Sequence, residues 1–230
     1  MDTYRSTFKN SHTLLAVIHA TNYMQVARNA RIAYEEGVDG IFLINHHIDC
    51  AQLLNFYEQL AGDMPDFWIG VNCLDLGSKA IHHISKTCGG LWIDDAGYDE
   101  IATIPTKSAH DFSIQRKMSG WQGVYFGGVA FKYQKSVADV ARAAECMVPF
   151  VVVITTSGEG TGHAPAVEKI RIMKDAVGDH PLAIASGVTP ENVSNFLPYA
   201  DCFLVATGIS DSHTELNSNK VRQMVSAVGK

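Results

Sequence analysis

Residues 182–192 read Leu-Ala-Ile-Ala-Ser-Gly-Val-Thr-Pro-Glu-Asn, and residues 202–210 read Cys-Phe-Leu-Val-Ala-Thr-Gly-Ile-Ser. Each is a short apolar run that breaks at once into glycine and hydroxyl residues. That is the pattern of a buried strand ending in a tight loop. Working toward the N-terminus, six more apolar runs precede them: 14–19, 40–45, 67–72, 90–94, 123–126 and 150–155. With 182–186 and 202–206 they make eight.

Amphipathic stretches with apolar residues three or four apart lie between most of these runs: 24–36, 51–60, 79–86, 137–146, 166–176, 191–197 and 220–227. Several boundaries are explicit. Gly37 and Gly178 stand where a helix C-terminus favours a left-handed residue, and Thr189-Pro190 reads as an N-cap followed by proline at the first helical position. The fourth unit is the weakest: 96–121 contains Pro105 and one helical candidate, 109–118, so it reads as a lid or an irregular connection.

Eight repeated βα units with even spacing, and no GxGxxG turn after the first strand, favour closure into a single (β/α)8 (TIM) barrel over an open doubly wound sheet. The expected organisation is one domain over 1–230, with 1–12 a polar N-terminal segment.

Of the 230 residues, 47% are hydrophobic and 18% charged, and 24 acidic residues against 18 basic give a net charge of −6 without long like-charge runs. This argues against a nucleic-acid partner and for a small molecule. Five cysteines without CxxC spacing read as reduced packing residues, and the absence of an apolar signal core or a membrane-length apolar window gives a cytoplasmic expectation. A homo-oligomer is compatible with this composition.

In a barrel, reactive groups gather where strands end and βα loops begin. The last two loops, Ser186–Thr189 and Ala206–Ser210, combine close backbone approach at glycine with amide and hydroxyl donors. They are the expected holders of a phosphate or similar anion, with Ser186, Gly187, Thr189, Thr207 and Gly208 as its contacts. The Gly-rich stretch 155–165 reads as a loop that closes over substrate, with Thr155, Thr156, Ser157, Gly160 and Thr161 as contacts and Glu159 as an acid or base.

Other strand ends contribute His19, Asn45 beside His46 and His47, Asn72, Asp94 beside Asp95, and Lys132. Asp94 suits a general base, and Lys132 an acid, an electrostatic stabiliser or an imine former. His19 completes the catalytic candidates, and Asn45 and Asn72 the substrate contacts. In adjacent pairs such as His46-His47 only one side chain can face the centre. A divalent metal between His19, His46 or His47 and an Asp is conceivable chemistry, but HxH and HxxxE spacings are absent, so neither metal nor cofactor is expected. Trp68, Trp92 and Trp121 read as packing residues.

The run 154–210, with Thr155-Thr156-Ser157-Gly158-Glu159-Gly160-Thr161-Gly162, Ala185-Ser186-Gly187-Val188-Thr189-Pro190-Glu191-Asn192 and Val205-Ala206-Thr207-Gly208, resembles the BtpA family of barrel proteins. Weaker likenesses follow in order upstream at 17–19, 36–40, 70–72 and 129–132. Two departures are Ala20-Thr21-Asn22-Tyr23, where the family has a proline-rich stretch, and Ala185, where it has glycine. The resemblance implies a barrel with an anion site. In the family one branch is linked to photosystem I biogenesis and others carry nucleotide or sugar-phosphate assignments. The 186–192 run is also similar to the phosphate turns of phosphoribosyl-binding barrels such as phosphoribosylanthranilate isomerase.

The expectation is an enzyme acting on a small phosphorylated metabolite, a sugar phosphate or phosphoribosyl compound, by isomerase, lyase or transferase chemistry. The alternative is a non-catalytic assembly or regulatory factor that keeps the anion site.

Overall fold

The structure, a computed structural model, describes residues 3–160 and 162–229. Eight parallel strands close on themselves: β1 (Thr13–His19), β2 (Gly40–Ile44), β3 (Trp68–Asn72), β4 (Gly90–Ile93), β5 (Val124–Gly128), β6 (Val153–Ser157), β7 (Leu182–Ala185) and β8 (Cys202–Val205). Each pairs with the next, and β8 returns to β1 with Thr13 opposite Cys202. This is the expected (β/α)8 barrel.

The strand period of two divides the core. Leu15, Val17, Phe42, Ile44, Trp92, Phe126 and Leu204 fill the barrel interior, while Leu14, Ile18, Ile41, Leu43, Phe203 and Val205 face the helices. That parity carries to the mouth. His19 continues the inward row 15–17, and His46 the row 42–44.

Helices α2 (Tyr23–Glu35), α3 (Cys50–Asp63), α4 (Lys107–Ser119), α5 (Val140–Met147), α6 (Val167–Val177) and α7 (Ser218–Val228) form the outer layer, and α1 (Thr3–Thr7) precedes β1. Asn22, Asp49, Thr106, Asp139 and Asn217 cap five of them by accepting the amide three residues on. Two units depart from expectation. After β3 there is only a 3-10 turn, Gly77–His82, and after β7 only Val193–Asn195. At the second, Thr189 does not cap a helix. Asn192 takes the Thr189 amide on Oδ1 and donates Nδ2 to the Gly187 carbonyl, folding the loop back on itself.

Three further boundaries differ. Phe150 and Val151 donate their amides to Met147 O and so finish α5 rather than begin β6. β6 runs on to Ser157, so Thr155 keeps its expected place in the strand, while Thr156 and Ser157, expected in the loop, are fully buried strand residues too. Within 96–121, Tyr98–Asp99 pairs antiparallel with Ile104–Pro105 in a small ribbon before α4.

The polar reading of the N-terminal segment needs correction too. Tyr4 and Phe8 close the bottom of the barrel interior. Tyr4 Oη donates to the Asp201 carbonyl (2.9 Å) and lies 2.8 Å from Thr13 Oγ1, and Phe8 packs edge-on to Trp68. The cysteine reading is corrected in part. Cys50 at the start of α3 and Cys73 after β3 form a disulfide, whereas Cys88, Cys146 and Cys202 are free. Among the described residues, no helix is long and apolar enough to cross a membrane.

Candidate functional site

The mouth of the barrel holds a small cavity of about 80 Å³, lined by His19, His46, Trp92, Lys132, Ser186 and Thr207 among others. Lys132 projects from the loop after β5. Its amide donates to Ser157 Oγ (2.8 Å) and its ammonium to Ser186 Oγ (2.9 Å). Ser186 has φ 74°, in the left-handed region that a serine seldom occupies. Ala183 and Ala185 of β7 already face inward, so strand alternation would turn Ser186 outward; the turn re-aims it at the mouth. A residue expected to do chemistry and one expected to hold an anion thus share a hydrogen bond.

The two tail loops are pressed together. A side-chain carbon on Gly208 would strike the Val188 carbonyl, and one on Gly187, at φ 70°, would strike the backbone of His163 and Ala164. Glycine at these positions lets three loops, those after β6, β7 and β8, converge on one point. Thr207 and Gly208 open the 3-10 turn Thr207–Ile209, whose leading amides have no partner within the turn. Thr189 is occupied with Asn192 and does not line the cavity.

Asp94 stands just past β4, on the inward row of Trp92. It accepts Asn72 Nδ2 at 2.9 Å. Burial raises its pKa, against the pull of Asn72 and of the Lys132 charge. Burial lowers the pKa of Lys132, against the pull of Asp94 and Tyr133. Each group is therefore moved toward the neutral range, where proton transfer is easiest. Asp95 turns away and caps the Gly97 amide.

Asn45 is a brace. It donates to Asp75 Oδ1 and accepts the Leu74 amide, both at 2.7 Å. Thr155 and Thr156 bond to backbone carbonyls at Val153 and Ala130 and line neither the mouth cavity nor the large cleft beside it. That cleft, about 650 Å³ between the β5 and β6 loops, is lined by Ser157, Glu159, His163 and Lys169 and shares Lys132 with the mouth. Glu159 is exposed there and does not reach the mouth cavity. Gly160 accepts the His163 amide, Gly162 borders the mouth, and Thr161 lies outside the described residues.

Several residues were not anticipated. Lys169 on α6 donates to the carbonyls of Ala130 (2.6 Å) and Ser157 (2.7 Å), tying the β5 and β6 loops together, and burial lowers its pKa to about 8. Trp92 belongs to the site rather than to packing alone, as its two-residue spacing from Asp94 signals. His213 comes from the loop after β8, with no sequence signal of its own. Gln25 and Asn29, buried on α2, clasp the neighbouring Thr214 carbonyl at 2.6 and 2.7 Å and hold that loop over β1.

The result is a histidine cluster. The ring of His19 lies 3.9 Å from that of His213 and 4.8 Å from that of His46, and His47 is 5.8 Å from His213. Among the described residues no three His, Cys, Asp or Glu side chains converge as metal ligands. Burial, reinforced by His213, His46, Lys132 and His47, lowers the His19 pKa to about 3. The folded protein keeps this ring neutral while the unfolded chain protonates it near 6.5, so its contribution to stability is full at neutral pH and is lost as pH falls toward 3. Between pH 7 and pH 5 the wild type is expected to lose about 2 kcal/mol more stability than His19→Gln, measured by urea unfolding at both pH values. Parallel losses would mean that His19 is protonated in the folded state.

Comparison with known proteins adds the following. The pattern of the BtpA family matches residues 126–230, which contain the whole run from 154 to 210; the weaker likenesses at 17–72 lie outside it. No curated protein matches the sequence. Among solved structures, (S)-3-O-geranylgeranylglyceryl phosphate synthase from Thermoplasma acidophilum, in complex with sn-glycerol-1-phosphate, superposes with a TM-score of 0.70 at 15% identity over 99% of this chain and 96% of that one. Phosphoribosyl anthranilate isomerase from Thermotoga maritima gives 0.68 at 11% identity over 94% and 98%, and tryptophan synthase subunit alpha from Legionella pneumophila gives 0.67 at 12% over 99% and 96%. At these identities the likeness establishes the barrel.

Proposed function

We propose, for a chain whose residues 126–230 match the BtpA family, that the barrel is an enzyme acting on a small phosphorylated metabolite, a sugar phosphate or phosphoribosyl compound. The loops after β7 and β8 bind the phosphate, and Asp94 and Lys132 serve the reacting end. The observation that carries this reading is the junction at Ser186, where a left-handed serine, the converging Gly187 and Gly208 loops and the Lys132 ammonium meet at one edge of the mouth cavity.

Such a junction presents hydroxyls, backbone amides at the start of a 3-10 turn and one positive charge, which is the chemistry a phosphate dianion requires. Two of the structurally similar barrels agree in kind, one being in complex with sn-glycerol-1-phosphate and the other a phosphoribosyl anthranilate isomerase. With the phosphate fixed, a substrate carbon is held near Asp94. This carboxyl takes up and returns a proton, while Asn72 fixes its orientation. Many isomerase and lyase reactions use such a step.

A thermal-shift panel of phosphorylated metabolites tests the assignment. A true ligand at a hundredfold excess over its Kd should raise the wild-type Tm by roughly 5–10 °C. Thr207→Asp, which places a carboxylate on an exposed side chain at the loop without filling the backbone contact, should abolish the shift. If no phosphorylated compound stabilises the wild type, or if Thr207→Asp responds equally, the proposal fails.

A further inference from the structure

Two polar atoms at the mouth have no hydrogen-bond partner among the described residues: Trp92 Nε1 and His19 Nδ1. Both side chains are more than nine-tenths buried, with 5% and 8% of their surface exposed, and both line the same cavity of about 80 Å³. Native proteins seldom leave such atoms unsatisfied, because each one costs the desolvation of a donor or acceptor with nothing in return. Two orphans on side chains that line one cavity point to a ligand.

The surroundings restrict what that ligand presents. Val17, Ile44 and Leu204 line the same cavity, so a second anionic group would sit against apolar walls. The cation at its edge, Lys132, is already bonded to Ser186 on the side assigned to the phosphate. A volume of about 80 Å³ holds only a few small groups, which suits a short chain. Trp92 is a donor only, whereas one nitrogen of a neutral imidazole donates and the other accepts. A hydroxyl, which donates and accepts, satisfies Trp92 and either tautomer of His19.

We infer that the cavity takes the uncharged, hydroxylated end of the phosphorylated ligand, and that Trp92 Nε1 and His19 Nδ1 bind its hydroxyl oxygens and select for them. This rests on the phosphate reading above and narrows it to polyhydroxy phosphates, in which a short chain of hydroxylated carbons runs inward from the phosphate. Trp92 and His19 are then specificity residues. His46, stacked on His19, and His213, tilted against it, line the same cavity beside them.

Calorimetric titration with sn-glycerol 1-phosphate, 1-propyl phosphate and inorganic phosphate tests this. The first two share their length and charge and differ only in hydroxyls. The wild type should bind glycerol phosphate at least about tenfold more tightly than propyl phosphate, since a site built to bond a hydroxyl rejects the analogue lacking it. Trp92→Phe should bring the two within about threefold, mainly by weakening glycerol phosphate. The wild-type ratio stands as evidence even if that variant folds poorly. Equal wild-type affinities, or a preference that survives Trp92→Phe, overturn this inference alone. If none of the three compounds binds, the phosphate reading falls and this inference falls with it.

Discussion

Lys132→Met is expected to weaken binding of any phosphorylated ligand roughly a hundredfold while leaving the barrel folded, because a hydrogen bond to a charged group contributes about 1.5–3 kcal/mol. The ammonium is partly buried and its pKa is lowered by that burial, so the unliganded protein gains little from it. Methionine keeps the length and the apolar stem. A second consequence is electrostatic. Lys132 is one of the two groups that hold the Asp94 pKa down, so its removal leaves burial less opposed and shifts the acidic limb of the pH–activity profile upward. Titration calorimetry with the best ligand from the panel and urea unfolding check the two halves. An unchanged affinity would remove Lys132 from the anion site.

Gly128→Ala should cost about 3 kcal/mol or more of stability, at the upper end of what overpacking costs, because the added carbon would lie within the backbone of Asp94 rather than against a movable side chain. That corresponds to a fall in Tm of roughly 6–12 °C for a chain of this size. Gly128 ends the inward row 124–126–128 of β5, and the missing side chain admits the Asp94 carbonyl, which also accepts Gln134 Nε2 at 2.8 Å. The Ala96 amide bonds Gly128 O at 2.9 Å, closing the same seam. If the variant does fold, the displaced strand end should move the carboxyl away from Asn72, and activity should fall with stability. An alanine variant as stable as the wild type would mean that β4 and β5 part at this point more freely than the contact implies.

Much of this was legible in the sequence. The eight apolar runs mark the eight strands, because a parallel barrel buries both faces of each strand and so draws mostly apolar residues to it. Lys132, Ser186 and Thr207, candidates by their places after β5, β7 and β8, do line the mouth cavity, whereas Asp94, at the end of β4, is not among its lining residues. The rest was lost for specific reasons. The fifth apolar run stops at 126, but Gly127 and Gly128 continue β5, since glycine there serves a close approach that no local pattern announces. Thr156 and Ser157 look like loop residues, yet one is β-branched and the other small, and they extend β6 with their hydroxyls spent on the backbone carbonyls of Ala130 and Gly158. His213 reaches the mouth only through the grip of Gln25 and Asn29 on a loop some 190 residues away, a contact that leaves no periodic trace. Cys50 and Cys73 lack the short spacing that signals a pair, because the barrel, not the chain, brings consecutive strand ends together.

The two shortened connections, after β3 and after β7, occupy opposite points of the ring, four strands apart. A cylinder with thin walls at opposed points is softest along the diameter that joins them. That diameter runs from the Asn72 end of β3 to the Ser186 end of β7, across the opening where the ligand is proposed to lie. Small changes in the ellipticity of the barrel would therefore alter the distance between the group that orients Asp94 and the group proposed to meet the phosphate. The remaining six units, each backed by a full helix, hold their shape. The fold thus sets its two thinnest points on the one axis along which the ends of a bound molecule would be stretched or brought together.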